Sequence, residues 1–222
     1  MNFSGKTYDK FVFKHTFTCI LAGPTGCGKT NFVSKILLQN QQLIQPAPTK
    51  IYFCYASWQE AYDNIKQNVP NVIFHKGLIG LHNFDKNENN LLIIDDLIDD
   101  SINNSSIQSI FTRDSHHSNI SVFLITQNIF LQGKHSRTIS LNAQYMILFK
   151  NPRDSSQIAT LSRQMFPNAT KYLVEAYEDA TDGNFGYLLL DLKQTTEKEL
   201  RVQTGVLPGE RRLIYIVKNL LN

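Results

Sequence analysis

The stretch GPTGCGKT, residues 23 to 30, has the residue types and spacing that binding of a nucleoside triphosphate requires. Glycines let the backbone turn tightly enough for successive N–H groups to point at phosphate oxygens. Lys29 can reach the β- and γ-phosphates, and the Thr30 hydroxyl is a ligand for Mg2+. An accidental Lys-Thr after a glycine turn is disfavoured by the flanking strand and helix. The sequence therefore predicts ATP and Mg2+ as ligands, with a phosphate-binding loop made of Gly23, Pro24, Thr25, Gly26, Cys27, Gly28, Lys29 and Thr30.

Two adjacent carboxylates follow another apolar run, LLIIDD. A phosphate-binding loop needs a carboxylate at the end of a neighbouring strand to hold Mg2+, and Asp95 is predicted to make that contact through water. Asp96 is then placed to polarise the attacking water. The alternative for Asp96 is a cap on the following helix, since aspartate is a favoured cap residue.

The stretch TRDSHHSNISVFLITQN, residues 112 to 128, raises the question of a metal site. His116 and His117 are neighbours, so on a regular helix or strand they point in different directions. No cysteine lies nearby in the sequence, and Asp114 completes no familiar ligand spacing. Zinc is therefore disfavoured, and the two histidines are expected to pack at a subunit contact or to touch phosphate.

Apolar runs that alternate with helix-like stretches must position these groups. Runs that are apolar on both faces indicate strands buried from two sides, and intervening helices favour an α/β fold with a largely parallel sheet. The predicted strands are 17–22, 50–56, 71–74, 91–95, 121–126, 144–149 and 187–192. The predicted helices are 30–40, 57–67, 102–111 and 155–165. A loop with Lys134, His135 and Arg137 is expected after residue 128.

The bulk properties of the sequence fit one domain over residues 1–222. Its 42% hydrophobic content is ample for a single core. No segment approaches the roughly 18 uninterrupted apolar residues of a membrane span, and the first residues do not resemble a signal peptide. Cys19, Cys27 and Cys54 are odd in number and form no Cys-x-x-Cys pair, which fits a reducing compartment.

Charge is unevenly distributed along the chain, although the net charge is only +3. Residues 113–171 carry seven Lys or Arg against two acids, and residues 85–100 carry six acids against one base. A metal-nucleotide site beside a polyanion-binding surface would have this pattern, and so would an unevenly charged solvated surface.

The ordered set of motifs resembles the FtsK/HerA group of P-loop motor ATPases. Within that group it resembles the short viral DNA-packaging ATPases, of the poxvirus type and of virophages and Polinton (Maverick) elements. The resemblance covers residues 17 to 192 and rests on AGPTGCGKTNFV, LLIIDD, FTRDSHHSNISVFLITQN, SRTISLNAQYMILFKNPRD and YLLLDLK. It implies an ASCE, RecA-like P-loop NTPase: an α/β three-layer sandwich with a mainly parallel central sheet.

The resemblance also implies roles for Gln127 and Arg113. In such ATPases the strand after the acidic one lies between the P-loop strand and the acidic strand, so its tip faces the γ-phosphate. An amide there can donate to the phosphate and accept from the attacking water, unless Gln127 is only a strand-end turn residue. Arg113 precedes this strand, where related motors carry an arginine that reaches into a neighbouring subunit; Arg137 and Arg153 are rivals, and a surface ion pair is the alternative.

The implied activity is ATP-driven translocation of double-stranded DNA by a homo-oligomeric ring that packages a viral genome. Lys134 and Arg137 are the candidate DNA contacts, because sequence-independent grip requires basic groups on phosphates; a solvated loop is the alternative. The implied partner is a capsid or portal protein. The implied location is inside the infected host cell, in the cytoplasm or viral factory, with the virion as a second location.

The sequence departs from cellular FtsK/HerA motors at Asp96, where those proteins usually have glutamate; the viral branch tolerates aspartate. Two other functions stay open: a small nucleoside or nucleotide kinase, for which no arginine-bearing lid is clear, and a nucleotide-gated binding module with little hydrolysis. A GTPase is disfavoured because the sequence has no Asn-Lys-x-Asp motif.

Overall fold

A large sheet forms the centre of the computed structural model, which describes residues 10–115 and 118–217. Side chains are described throughout these ranges except at residues 98, 99, 113 and 114. In the described part of the chain, the large sheet has nine strands, and two short strands, Phe13–Lys14 and Ile44–Gln45, pair in parallel apart from it. The strands are β1 (Phe13–Lys14), β2 (Thr18–Ala22), β3 (Ile44–Gln45), β4 (Lys50–Tyr55), β5 (Val72–Lys76), β6 (Asn90–Asp95), β7 (Ile120–Thr126), β8 (Tyr145–Phe149), β9 (Tyr187–Asp191), β10 (Val202–Thr204) and β11 (Leu213–Ile214).

The strand order of the large sheet is β11-β10-β9-β8-β2-β7-β6-β4-β5. The six strands from β8 to β5 are parallel, and β9, β10 and β11 add an antiparallel edge. β7 lies between β2 and β6, as the resemblance implies. Because parallel strands end at one edge of a sheet, the residues that follow β2, β6 and β7 are brought together there.

Helices cover both faces of the sheet. On one face, Leu21 packs in a cluster with Ile36 and Tyr62, which come from the helices Lys29–Leu38 and Ala61–Asn68. On the other face, Ile20 packs in a cluster with Ile158 of the helix Ser156–Met165. The predicted three-layer α/β sandwich is therefore confirmed. The helices are α1 (Lys29–Leu38), α2 (Asn40–Leu43), α3 (Ala61–Asn68), α4 (Ile98–Ile102), α5 (Ser105–Ser109), α6 (Ser136–Leu141), α7 (Ser156–Met165) and α8 (Thr170–Ala180), with 3-10 turns at Leu81–Asn83 and Lys198–Leu200 and a π-helical turn at Ile110–Asp114.

Several helices differ from the sequence-based prediction. The single helix expected over 102–111 is two short helices, because the Asn104 side chain accepts hydrogen bonds from the N–H groups of Ser106 and Ile107 and so begins α5. The expected loop after residue 128 contains α6. α8, β10 and β11 were not predicted. Among the described residues, no helix has the length and apolarity needed to cross a membrane.

Candidate nucleotide-binding site

The glycine-rich loop joins β2 to α1 at the carboxyl edge of the sheet. The N–H of Gly23 donates to the Thr126 carbonyl oxygen at 3.2 Å, which ties the start of the loop to the end of β7. Gly26 and Gly28 have φ angles of 81° and 104°, in the left-handed region that glycine adopts without steric cost. α1 begins at Lys29 directly afterwards, so its positive end and the loop N–H groups favour an anion at the same place.

Cys27 packs on the inner side of this loop. A Cβ atom on Gly23 would lie 2.7 Å from the Cys27 Sγ and 2.7 Å from the Phe149 Cβ, so the side chain at position 23 must be absent. Burial raises the pKa of the Cys27 thiol above its ordinary value, which keeps it neutral. Cys27 therefore contributes its backbone to the loop and a small packing group beneath it.

The Lys29 ammonium lies against its own loop. Its Nζ donates to the carbonyl oxygens of Gly23, at 2.5 Å, and of Pro24, at 2.9 Å. Both acceptors are neutral, so these contacts hold the ammonium in the loop without neutralising its charge. A phosphate in the loop would meet a positive group that is already in place.

Thr30 and Asp95 are in direct contact across the site. The Thr30 Oγ1 donates to the Asp95 Oδ2 at 3.0 Å, and the Tyr62 hydroxyl donates to the same oxygen at 3.0 Å. Asp95 is only 2% exposed, which makes these two donors its main compensation for burial. Tyr62 comes from α3 and was not foreseen, because nothing in the sequence indicates that this helix packs beside the acidic strand.

The environment of Asp95 suits a cation. Burial raises the pKa of its carboxyl group, and the charge of Asp96 raises it further, against the opposing effects of Tyr62, Thr30 and Lys29. A buried carboxylate beside a second carboxylate gains from a nearby cation. The described residues contain no cluster of three or more metal-binding His, Cys, Asp or Glu. The two oxygen donors at the site, the Thr30 hydroxyl and the Asp95 carboxylate, fit Mg2+, which binds through few protein oxygens together with phosphate and water.

Replacing Asp95 with asparagine should raise the melting temperature of the ligand-free protein at neutral pH. Because the folded-state pKa is raised above the ordinary 3.8, the ionised carboxylate costs stability at pH values above that raised pKa. The advantage of the variant should shrink as the pH falls through the raised pKa towards 3.8. Thermal melting over a pH series measures this, and a ligand-free Asp95→Asn protein that melts below wild type at neutral pH would contradict it.

Asp96 follows the strand in an unusual backbone conformation. Its φ angle is 56°, in the left-handed region where aspartate and asparagine are enriched among non-glycine residues. This backbone conformation gives a physical reason for aspartate rather than glutamate at position 96. The Asp96 Oδ2 accepts a hydrogen bond from the Gln59 Nε2 at 2.7 Å. α4 begins after Leu97 with no side-chain cap.

Gln127 directly follows β7 and is exposed at the same edge of the sheet. Thr126, the last residue of β7, pairs with Ala22, the last residue of β2, which places position 127 beside the start of the loop. The segment that follows is fixed to α7, since the Ile129 N–H donates to the Gln157 Oε1 at 2.9 Å.

The basic residues predicted to contact DNA or a neighbouring subunit lie on separate segments of the chain. The backbone of Arg113 lies in the π-helical turn, but its side chain lies outside the described part of the structure, as do His116 and His117 entirely. Lys134 and Arg137 are exposed, before and within α6, and the Lys134 N–H donates to the Asn103 Oδ1 at 3.1 Å. Arg153 is exposed after β8.

Comparison with solved structures identifies chains of the same architecture. The genome packaging NTPase B204 from Sulfolobus turreted icosahedral virus 2, in complex with AMP, is 12% identical and matches with a TM-score of 0.56 over 82% of this chain and 95% of its own. B204, the DNA-packaging ATPase from Sulfolobus turreted icosahedral virus, is 11% identical and matches with a TM-score of 0.54 over 90% of this chain and 97% of its own. No protein-family model and no curated protein sequence matches the chain. At this level of identity, the likeness shows a shared P-loop NTPase fold.

Proposed function

We propose that this chain binds ATP with Mg2+ and hydrolyses it. The observation that carries the proposal is the direct contact of Thr30 with Asp95, which joins the glycine-rich loop to the acidic strand. The next residue, Asp96, is exposed at the edge of the sheet where a γ-phosphate would end. A glycine-rich loop that served only as a turn would not require a buried carboxylate facing it.

The residues have separable roles in this reaction. The loop N–H groups and Lys29 bind the phosphates, and Asp96 orients the attacking water and accepts its proton. Gln127 donates a hydrogen bond to the γ-phosphate and accepts one from the attacking water. Mg2+, when bound, would be held by Thr30 and, through water, by Asp95, and it would neutralise charge on the phosphates.

Hydrolysis is proposed to drive double-stranded DNA into a viral capsid, by a homo-oligomeric ring. Support comes from the order of the motifs, from the fold shared with a genome packaging NTPase over nearly all of that chain, and from the exposed basic residues after β7. The proposed docking partner is a capsid or portal protein, and the proposed place of action is the infected cell. A single catalytic domain over residues 1–222 fits this role.

Arg113 is proposed to act in trans. An arginine from a neighbouring subunit neutralises charge that develops on the transferred phosphoryl group, and this contributes about 10³- to 10⁵-fold in rate. The turn that carries Arg113 ends at Asp114, before β7 begins at Ile120, and Gln127 follows the other end of β7.

Duplex DNA should stimulate ATP hydrolysis by this chain, in a species several times the mass of one subunit. Steady-state hydrolysis with and without duplex DNA, together with mass measurement in solution, tests the proposal. Transfer of phosphate to a nucleoside with no effect of DNA would instead indicate a kinase. Nucleotide binding with negligible hydrolysis would indicate a gated binding module.

Replacing Lys134 and Arg137 with alanine should weaken duplex binding while basal hydrolysis stays unchanged. Each lost phosphate contact should make the dependence of log K on log salt concentration shallower by about 0.9. Lys86→Ala is the matched control. Lys86 is exposed on the loop before β6, at the amino ends of the parallel strands, whereas the segment with Lys134 follows the carboxyl end of β7. Unchanged DNA affinity of the double variant at several salt concentrations would exclude this segment from DNA contact.

A further inference from the structure

A cleft of about 320 Å³ opens beside the phosphate-binding loop, on the side away from the carboxylates. The loop residues Pro24 to Cys27 form one wall, and residues 182–186, the sequence DGNFG, form another. Lys150 and Pro152, which follow β8, complete its lining. Lys29, Asp95, Asp96 and Gln127 do not line this cleft.

Strand order explains why these segments meet. β8 lies next to β2 on the side opposite β7 and β6. β9 runs antiparallel to β8, and Phe149 pairs with Tyr187, so the segment before β9 and the segment after β8 lie at the same edge of the sheet as the phosphate-binding loop. If the phosphates of a nucleotide lie in the loop and its metal lies beside Asp95, this cleft is the space that remains for the ribose and the base.

Phe185 is the feature of the cleft that points to a ligand. It is 60% exposed, and its φ angle of 59° lies in the left-handed region, which is an outlier conformation for a bulky residue. Its ring lies over the phosphate-binding loop, since a Cβ atom on Gly28 would be 2.8 Å from the Phe185 Cδ1. Burial in the core therefore does not hold the ring there, and strained residues of this kind cluster at ligand sites.

The neighbouring glycine fixes this turn. A Cβ atom on Gly186 would lie 2.5 Å from the Ala180 carbonyl oxygen at the end of α8. The backbone of residue 186 is thus packed directly against α8, and it holds Phe185 at the mouth of the loop.

We propose that Phe185 is the platform on which the nucleobase stacks, an inference that rests on the proposed nucleotide site. Aromatic rings bind bases through their π-faces and tolerate different bases. Charged, hydroxyl and amide side chains line the cleft at Thr25, Lys150, Asp182 and Asn184, and all four residues are exposed. Strong discrimination between bases requires buried polar groups that the wrong base leaves unpaired. Stacking without such groups predicts that ATP and GTP bind with affinities within about tenfold of each other.

The test is calorimetric titration of the whole chain with MgATP, MgGTP and magnesium tripolyphosphate, which has no base. The ring is removed with Phe185→Gly, because glycine keeps the left-handed backbone. We expect ATP and GTP to bind about 5- to 150-fold more weakly to this variant, and tripolyphosphate to bind as it does to wild type. A Phe185→Trp variant keeps an aromatic ring, so it should bind ATP and GTP with affinities close to those of wild type.

Each alternative outcome has a distinct meaning. Unchanged ATP affinity of Phe185→Gly would overturn the stacking role and leave the phosphate site intact. An equal loss for tripolyphosphate would also overturn it, because the ring would then act through the shape of the loop. Wild-type protein that binds neither ATP nor tripolyphosphate would refute the proposed nucleotide site itself.

Discussion

Replacing Lys29 with alanine should abolish measurable ATP hydrolysis, with a loss in turnover of at least about 10²- to 10³-fold. The Lys29 ammonium lies inside the loop, on the carbonyl oxygens of Gly23 and Pro24, so it is in place for the charge that would develop on a phosphate in the proposed site. A positioned charge of this kind stabilises the transition state without reorganisation at the moment of reaction. Phosphate release under saturating MgATP measures the effect.

Lys35→Ala is the matched control for Lys29→Ala. Both lysines belong to α1, but Lys35 is exposed on the body of the helix, and its loss should leave turnover unchanged. Melting temperatures of the two variants should be close to wild type, because water can replace Lys29 on the loop carbonyls. Turnover of Lys29→Ala within tenfold of wild type would exclude the loop as the phosphate site.

The inactive Lys29→Ala subunit also tests whether Arg113 acts in trans. Arg113→Ala alone should be inactive, while mixtures of the two variants should recover part of the activity. In a mixed ring, an intact loop in one subunit can meet an intact Arg113 from its neighbour. Absence of recovery at every mixing ratio would leave Arg137 and Arg153 as the remaining candidates.

Local features of the sequence were sufficient to predict the glycine-rich loop between β2 and α1 and the central strands. The loop is contiguous, and its glycines are required by the left-handed backbone of Gly26 and Gly28. The strands are buried on both faces, so they are read as unbroken apolar runs. The position of β7 between β2 and β6 came from the resemblance, since no local pattern encodes strand order.

Contacts between distant elements could not be predicted in this way. Tyr62 contacts Asp95 across 33 positions of sequence, and Gln59 contacts Asp96 across 37. Both partners follow β4, and only its pairing with β6 brings them to the acidic edge. Phe185 was missed for the same reason: its approach to Gly28 depends on the antiparallel addition of β9 to β8. The break between α4 and α5 was missed because the capping role of Asn104 competes with helix continuation.

Replacing Asp96 with asparagine should lower turnover by about 10²- to 10⁴-fold and leave MgATP binding close to wild type. The amide keeps the shape of the side chain and tolerates the left-handed backbone, but it cannot take a proton from the attacking water. Asp96 contacts Gln59 rather than the Thr30 hydroxyl, so the phosphate and metal positions should be preserved. Single-turnover hydrolysis alongside calorimetric MgATP titration separates chemistry from binding.

Two further variants distinguish the Asp96 carboxylate from its surroundings. Gln59→Ala removes the hydrogen bond to Asp96 but keeps the carboxylate, so it should change turnover far less than Asp96→Asn. Asp96→Glu also keeps the carboxylate, yet it places a longer side chain on a left-handed residue, and it should melt at a lower temperature while retaining part of the activity. Hydrolysis by Asp96→Asn at the wild-type rate would assign proton transfer to another group. Equal losses in Gln59→Ala and Asp96→Asn would show that the hydrogen-bonded pair, rather than the charge of Asp96, governs the reaction.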